Sequence, residues 1–186
     1  IVQGSQMGTW DWEIPTGRVT FNERWASMLG YRLDELEPHV RTWEQLVHPD
    51  DLHQVMATVS AHLRGETPTY SSEHRLRTKS GAWRWVFDSG RVVKRDAQGA
   101  PLRAAGIHLD ISDRKALEAT LRESEERFRQ LAEHIDAVFW LTSPDKSEVL
   151  YVSPAFEAIW ELPRDLLYVN PSFWLDHIHP EDRKRV

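Results

Sequence analysis

TYSSEHRLRT (Thr69–Thr78), AWRWVFDSGRVVK (Ala82–Lys94) and LRAAGIHLDI (Leu102–Ile111) lie one after another, joined by Lys79-Ser80-Gly81 and by a turn at Asp96-Ala97-Gln98-Gly99. Each long segment is rich in β-branched and aromatic residues, and each connector carries turn chemistry, so the stretch predicts three antiparallel strands in a meander. Working back from it, Gly65 closes a helix that Pro49 opens. Pro49 suits a first helical turn, Asp50 and Asp51 suit its positive end, and Val55, Met56, Val59 and Leu63 give a buried stripe. Short helical turns are predicted near Leu33–Leu36 and Trp43–Val47. Asn22 is placed to cap a helix from Glu23, with Trp25, Met28 and Leu29 on one face and Gly30 ending it. Thr9–Ile14 and Arg18–Phe21 flank Pro15-Thr16-Gly17 as an opening hairpin. The order of two strands, helices and three strands predicts an α+β domain, a five-stranded antiparallel sheet with helices on one face.

Displacing the sequence against itself by 131 residues reveals a repeat. His48-Pro49 meets His179-Pro180, Asp51 meets Asp182, Trp43 meets Trp174, Asp34 meets Asp165, Leu36 meets Leu167 and Val55 meets Val186. Apolar roles persist between these identities: Trp25 meets Phe156, Met28 meets Ile159 and Val47 meets Ile178. With two residues added in the hairpin turn, Trp10-Asp11-Trp12 falls beside Phe139-Trp140-Leu141. The second copy has no counterpart of Met56–Ser112 in this sequence, so it is expected to be truncated, with its order dependent on neighbouring chains. The domain reading is therefore 1–112 complete, 113–134 a connector helix, and 135–186 the N-terminal part of a second copy.

Gly8-Thr9-Trp10-Asp11-Trp12, Trp25 to Leu29-Gly30-Tyr31, His48-Pro49-Asp50-Asp51, Arg75-Leu76-Arg77, Gly81-Ala82-Trp83-Arg84-Trp85 and Gly106 to Ser112 occur in this order. Together they resemble the PAS family of sensory domains, in the subclass found in bacterial two-component and cyclic-dinucleotide signalling proteins. The resemblance covers residues 8–112, with the start of a second member at about 128–186. It implies sensing and relay without catalysis. The output, a histidine kinase, a diguanylate cyclase or another effector, is then expected elsewhere in the same polypeptide. It does not name a ligand, because one fold hosts many sites.

In the family, the tripeptide matched by Asp110-Ile111-Ser112 couples the sheet to an output helix. Here Ser112 is placed to cap a helix starting at Asp113. Leu117, Leu121, Ser124, Phe128, Leu131 and Ile135 follow at heptad spacing, and Glu118–Arg122, Glu123–Arg127 and Glu125–Arg129 are favourable pairs one turn apart. A parallel homodimer is expected along this seam, the alternative being that the stripe packs on the first domain.

Lys and Arg total 23 against 29 Asp and Glu, a net charge of −6 that offers no general attraction to a phosphate backbone, so nucleic-acid binding is not expected. The absence of cysteine excludes disulfides, thiolate metal sites and cysteinyl-flavin photochemistry, and is compatible with a reducing cytoplasm. No run approaches the ~18 apolar residues of a membrane span, and Ile1-Val2-Gln3-Gly4-Ser5 lacks signal-peptide order, so any membrane anchor of the parent is expected outside this sequence. No nucleotide loop, nucleophile elbow or zinc-protease spacing is present, and no enzyme is expected.

A ligand pocket is expected between the sheet and the long helix, lined by Trp43, Val59, Leu63, His74, Trp85 and Ile107. The rival is a ligand-free interaction module, favoured if tryptophans fill that space. Trp10, Trp12, Trp83 and Trp85 are expected to divide within each pair between the two sheet faces. His48, His53, His177 and His179 with neighbouring acids raise a metal site, but Pro49 and two acids are explained by a helix start. His53 and His62 lie on the helix where haem-binding relatives place an iron ligand. Alignment on Gly65-Glu66 puts Gln54 at that position, so haem is not expected and the cofactor is left unknown.

Overall fold

The computed structural model describes residues 7–133, 137–145, 147–183 and 185. Two compact units divide the chain, Ile1–Glu118 and Ala119–Val186.

In the first unit, β1 (Gly8–Glu13) and β2 (Arg18–Phe21) form the expected hairpin, followed by α1 (Glu23–Met28), a 3-10 turn (Leu33–Glu35), α2 (Val40–Leu46) and α3 (Pro49–Leu63). Then come β3 (Tyr70–Arg77), β4 (Trp83–Arg95) and β5 (Pro101–Asp110). The strands assemble in the order β2-β1-β5-β4-β3, antiparallel throughout. Asn22 starts α1 as its side chain accepts the Trp25 N–H, and Pro49 and the two acids occupy the first turn of α3. Asp51 does more than complement the helix dipole. Its carboxylate accepts the backbone N–H and both guanidinium arms of Arg75, tying α3 to the edge strand β3. α2 begins three residues before the expected Trp43, because the His39 side chain accepts the Arg41 N–H and starts the helix there.

Register decides which side chains meet the helices. Val19, Trp12, Ala104 and Val92 form one cross-strand row; Phe21, Trp10, Gly106, Gly90 and Tyr70 form the next; Gly8, His108, Asp88 and Ser72 form the third. These residues share the helix-facing side, together with His74, Leu76 and Val86. The core joins them to Trp25, Met28 and Leu29 of α1, Trp43 and Leu46 of α2, and Val55 of α3.

The expected division of the tryptophan pairs is corrected by this register. Residues two apart in a strand point the same way. Trp10 and Trp12 both face the helices, whereas Trp83 and Trp85 lie on the opposite face, where Arg75 and Lys115 flank the Trp85 ring at 5.4 and 5.1 Å.

α4 (Ser112–Glu133) leaves the end of β5. The expectation that Ser112 caps it is also corrected. The Ser112 hydroxyl accepts the Trp85 N–H of β4, while the Asp110 carboxylate accepts the Ser112 N–H and the Ile111 carbonyl accepts that of Lys115. Arg114 and Lys115 both reach Glu73 of β3, which fastens the first turn of α4 to the sheet.

The second unit contains β6 (Trp140–Thr142) paired with β7 (Val149–Val152), α5 (Ala155–Trp160), α6 (Asp165–Val169) and a 3-10 turn (Phe173–His177). Val152, Phe156 and Leu167 are its buried centre. Among the described residues no helix is long and apolar enough to cross a membrane.

Candidate ligand cavity and its buried polar network

A cavity of about 60 Å³ lies in the first unit between the sheet and α2–α3. Its walls are largely indole and aliphatic, from Trp10, Trp12, Phe21, Trp43, Val59 and Leu63. The Trp10 indole lies across Gly90 and Gly106, facing residues on β4 and β5. A Cβ on either glycine would sit 2.5 or 2.4 Å from its ring. Only glycines let the indole settle onto bare backbone here.

Behind the indoles runs a buried polar chain whose direction follows from its donors. Trp Nε1–H groups can only donate. Trp25 donates to His108 Nδ1 (2.8 Å), leaving the His108 proton on Nε2, which faces Asp88 Oδ1 at 3.1 Å. Trp43 donates to His74 Nε2 (3.3 Å), leaving His74 Nδ1–H for Ser72 Oγ (3.0 Å). Ser72 then donates to Tyr70 Oη, and Tyr70 donates to Asp88 Oδ2, each at 2.8 Å. Trp10 Nε1 completes the set on Asp88 Oδ1 at 2.8 Å. The chain thus ends on a buried carboxylate with three donors, the arrangement that lets an ionised acid persist away from water.

Titration behaviour follows this geometry. Burial pushes the Asp88 carboxyl up, but its interactions with His108 first, then with His74 and Tyr70, outweigh it and hold the group below its usual range. Burial, then the neighbouring His108, pushes His74 down to about 4. Burial and the Asp88 charge push the Tyr70 phenol up.

His74, Asp88 and His108 offer three ligand atoms within 4.8 Å of one another. A metal would need imidazole lone pairs that Trp25 and Trp43 already occupy, so hydrogen bonding is the chemistry this cluster fits. His62, the helix histidine, is buried and committed as well: Nδ1 meets the Thr67 carbonyl at 2.9 Å and Nε2 accepts the Val92 N–H at 3.0 Å, joining α3 to β4. His53 is exposed.

A family described as PAS fold matches residues 18–108, and one described as PAS domain matches residues 126–186. A crystal structure of a sensory box histidine kinase/response regulator from Burkholderia thailandensis is 36% identical, with a TM-score of 0.62 over 69% of this chain and 95% of that one. The chain belongs to the PAS family. The two-component sensor PprA of Pseudomonas aeruginosa is 34% identical over 160 residues, covering 83% of this chain and 16% of the sensor. The probable diguanylate cyclase DgcE of Escherichia coli is 27% identical over 167 residues, covering 89% of this chain and 14% of that protein. The chain spans about one sixth of the length of the first curated relatives it matches, 17% and 16%. These PAS relatives are signalling proteins, and their enzymatic outputs lie outside the region shared with this chain.

Of the six pocket residues expected from sequence, the PAS domain brings Trp43, Val59 and Leu63 into the cavity wall. His74 sits immediately behind Trp43 in the polar chain. Trp85 and Ile107 are corrections: both alternate with wall residues along β4 and β5 and so belong to the opposite sheet face. Sequence reasoning missed Trp10, Trp12, Tyr70, Asp88 and His108 as a set. The available signal was parity, since Asp88 and His108 are directly paired, as are Trp10 and Gly106.

Along α4, Leu117, Leu121 and Leu131 are 72%, 62% and 61% exposed, and Ser124 is exposed. Phe128 instead packs its ring against Phe139 and Tyr151 at 6.2 and 5.4 Å. Ile135 lies outside the described residues. Glu123 pairs with Arg127 as expected, whereas Glu118 pairs back to Arg114 and Arg122 pairs forward to Glu126.

Proposed function

We propose that residues 1–112 form a cytoplasmic PAS sensor whose state is passed through a connector, 113–134, to an output domain of a longer signalling polypeptide, with 135–186 contributing to a second PAS domain. The observation that carries this reading is the joint at the end of the sheet. Asp110 holds Arg84 of β4 and the N-terminus of α4 at once, and Ser112 holds the backbone of Trp85. Burial pushes the Asp110 carboxyl up, but the Ser112 and Arg84 hydrogen bonds win and keep it below its usual range. A shift of β4 or β5 beneath the cavity therefore pulls directly on α4, the kind of linked element that a switch biases. The exposed leucines of α4 support a parallel homodimer at heptad spacing, with Asp110, Ile111 and Ser112 as the relay.

Hydrogen exchange on the full 186-residue chain tests the relay. Asp110→Asn is expected to speed exchange at the first-turn amides of α4 while leaving β3–β5 protected. Unchanged exchange in α4 would sink the idea. Native mass spectrometry tests the dimer, with Leu117→Glu and Leu121→Glu expected to give monomers.

A second reading, the ligand-free interaction module, is supported by the Trp10 indole lying on Gly90 and Gly106. At about 60 Å³ the remaining space is well short of the ~150 Å³ that takes up benzene, and too small for a flat cofactor without rearrangement.

A further inference from the structure

The polar groups around the cavity are, with one exception, already engaged with one another. Trp10 and Trp43 donate their indole N–H groups to Asp88 and His74, at 2.8 and 3.3 Å. Asp88 meets Trp10 and His108 at Oδ1 and Tyr70 at Oδ2, while the Tyr70 hydroxyl also meets Ser72. His108 accepts from Trp25 on its other ring nitrogen, and His62 has both of its nitrogens bonded. Arg91 shares strand parity with Trp85, so its side chain leaves the opposite sheet face and only its backbone borders the space. The exception is Trp12, whose Nε1–H has no hydrogen-bond partner among the described residues. That atom is enclosed by protein and is not presented to the free space.

What faces the space is therefore carbon: the indoles, the Phe21 ring, and the side chains of Val19, Val40, Val59 and Leu63. A water needs about two to four polar partners, and a space lined this way offers it none, so it stays dry and receives apolar guests instead. A polar ligand would leave its own groups unpaired here, at the full cost of their desolvation.

We infer that the cavity takes a hydrocarbon of two or three carbons, held by burial and dispersion against the indole and aliphatic walls. This deepens the sensor reading and rests on it. A space of about 60 Å³, at ~10–15 Å³ per water-sized position, has room for about four such positions. Three carbons fill that room, and they bring more apolar surface to the walls than a diatomic gas would. Propane is accordingly the probe.

Propane dissolved under pressure into a solution of the full chain, followed by the tryptophan ¹⁵N–¹H and the methyl ¹³C–¹H signals, tests the assignment. Saturable binding is expected at about millimolar, the ceiling for a ligand of three heavy atoms. The indole N–H of Trp10, Trp12 and Trp43 and the methyls of Val59 and Leu63 should move, while Trp83 and Trp85 on the other sheet face stay still. Ethanol has the same number of heavy atoms but a hydroxyl in place of one methyl, and should bind at least about tenfold more weakly. Val59→Leu, which puts an extra methylene into the space, should weaken propane about tenfold. Leu63→Ala should let benzene in, which the unaltered chain excludes, so either variant suffices if the other does not fold. Equal affinity for ethanol and propane would overturn the apolar assignment. No saturable response to propane, or one centred on Trp83 and Trp85, would overturn the inference outright.

The sensor reading fails separately. If propane binds as described while α4 exchange ignores both propane and Asp110→Asn, the guest stands and the relay falls. If propane does not bind while Asp110→Asn still loosens α4, the guest falls and the relay stands.

Discussion

The two units start from related sequence and reach different degrees of closure. Trp25 and its counterpart Phe156 are both fully buried, so each helix after the hairpin finds a core. One turn later the units part: Met28 is 4% exposed and its counterpart Ile159 is 58% exposed. In the first unit β3, β4 and β5 complete the sheet under α1–α3, and among the described residues the second unit has only the β6–β7 hairpin. The same hydrophobic pattern therefore buys a closed, polar-networked interior only where long-range strands supply the opposite wall.

The sharpest way to break this comparison is at Trp25, which supplies both apolar bulk and the donor for His108. Trp25→Ala is expected to cost the first unit about 4 kcal/mol in denaturant unfolding, with the second unit's transition unmoved.

Acid offers the next test. His74, pushed down to about 4, stays unprotonated in the folded domain while the unfolded chain takes up a proton near 6.5. The first unit should hold its full stability above pH 6.5 and lose about 3 kcal/mol as pH falls from 6.5 to 4. Below the ordinary carboxyl range the depressed Asp88 adds a further loss, since its stabilisation disappears as pH falls through its folded value. His74→Gln should flatten the 6.5–4 window, and an unchanged slope there would remove His74 as the cause.

Asp51 and its counterpart Asp182 sharpen the contrast at smaller scale. Asp51 is paired with Arg75 through three hydrogen bonds, and that pairing holds its carboxyl below the usual range, whereas Asp182 is exposed and meets Arg185 at 3.7 Å. Asp51→Asn should cost about 2 kcal/mol by thermal or denaturant unfolding. Asp182→Asn should be neutral.

The smallest expected effect has the opposite sign. Gly30 (φ 80°) and Glu161 (φ 55°) occupy the same left-handed position after their helices. Glu161→Gly should stabilise the second unit by about 1 kcal/mol, read as slower exchange in α5, while Gly30→Ala should destabilise the first by a similar amount.

Much of the fold was legible because it is written in local chemistry. Turn residues at Pro15-Thr16-Gly17 and Lys79-Ser80-Gly81, the Asn22 cap, the Pro49 helix start and the repeat each need only near neighbours to be read. The cavity was half legible. Trp43, Val59 and Leu63 follow from helix periodicity, but Trp85 and Ile107 were misplaced for want of register, and His62, raised from sequence only beside a haem-ligand position, is instead held by Thr67 and Val92.

The sequence by itself determined the strand and helix order, the family, the second copy and the apolar stripe of α4, because periodicity, caps and turns act over a few residues. Only the tertiary structure decided that Asp88 collects Trp10, Tyr70 and His108, that Ser112 serves β4 instead of capping α4, and that Trp12 in the cavity wall keeps an unpaired donor among the described residues. Those facts depend on which residues of distant strands stand opposite one another, and a one-residue slip in pairing would turn every one of them to the other face.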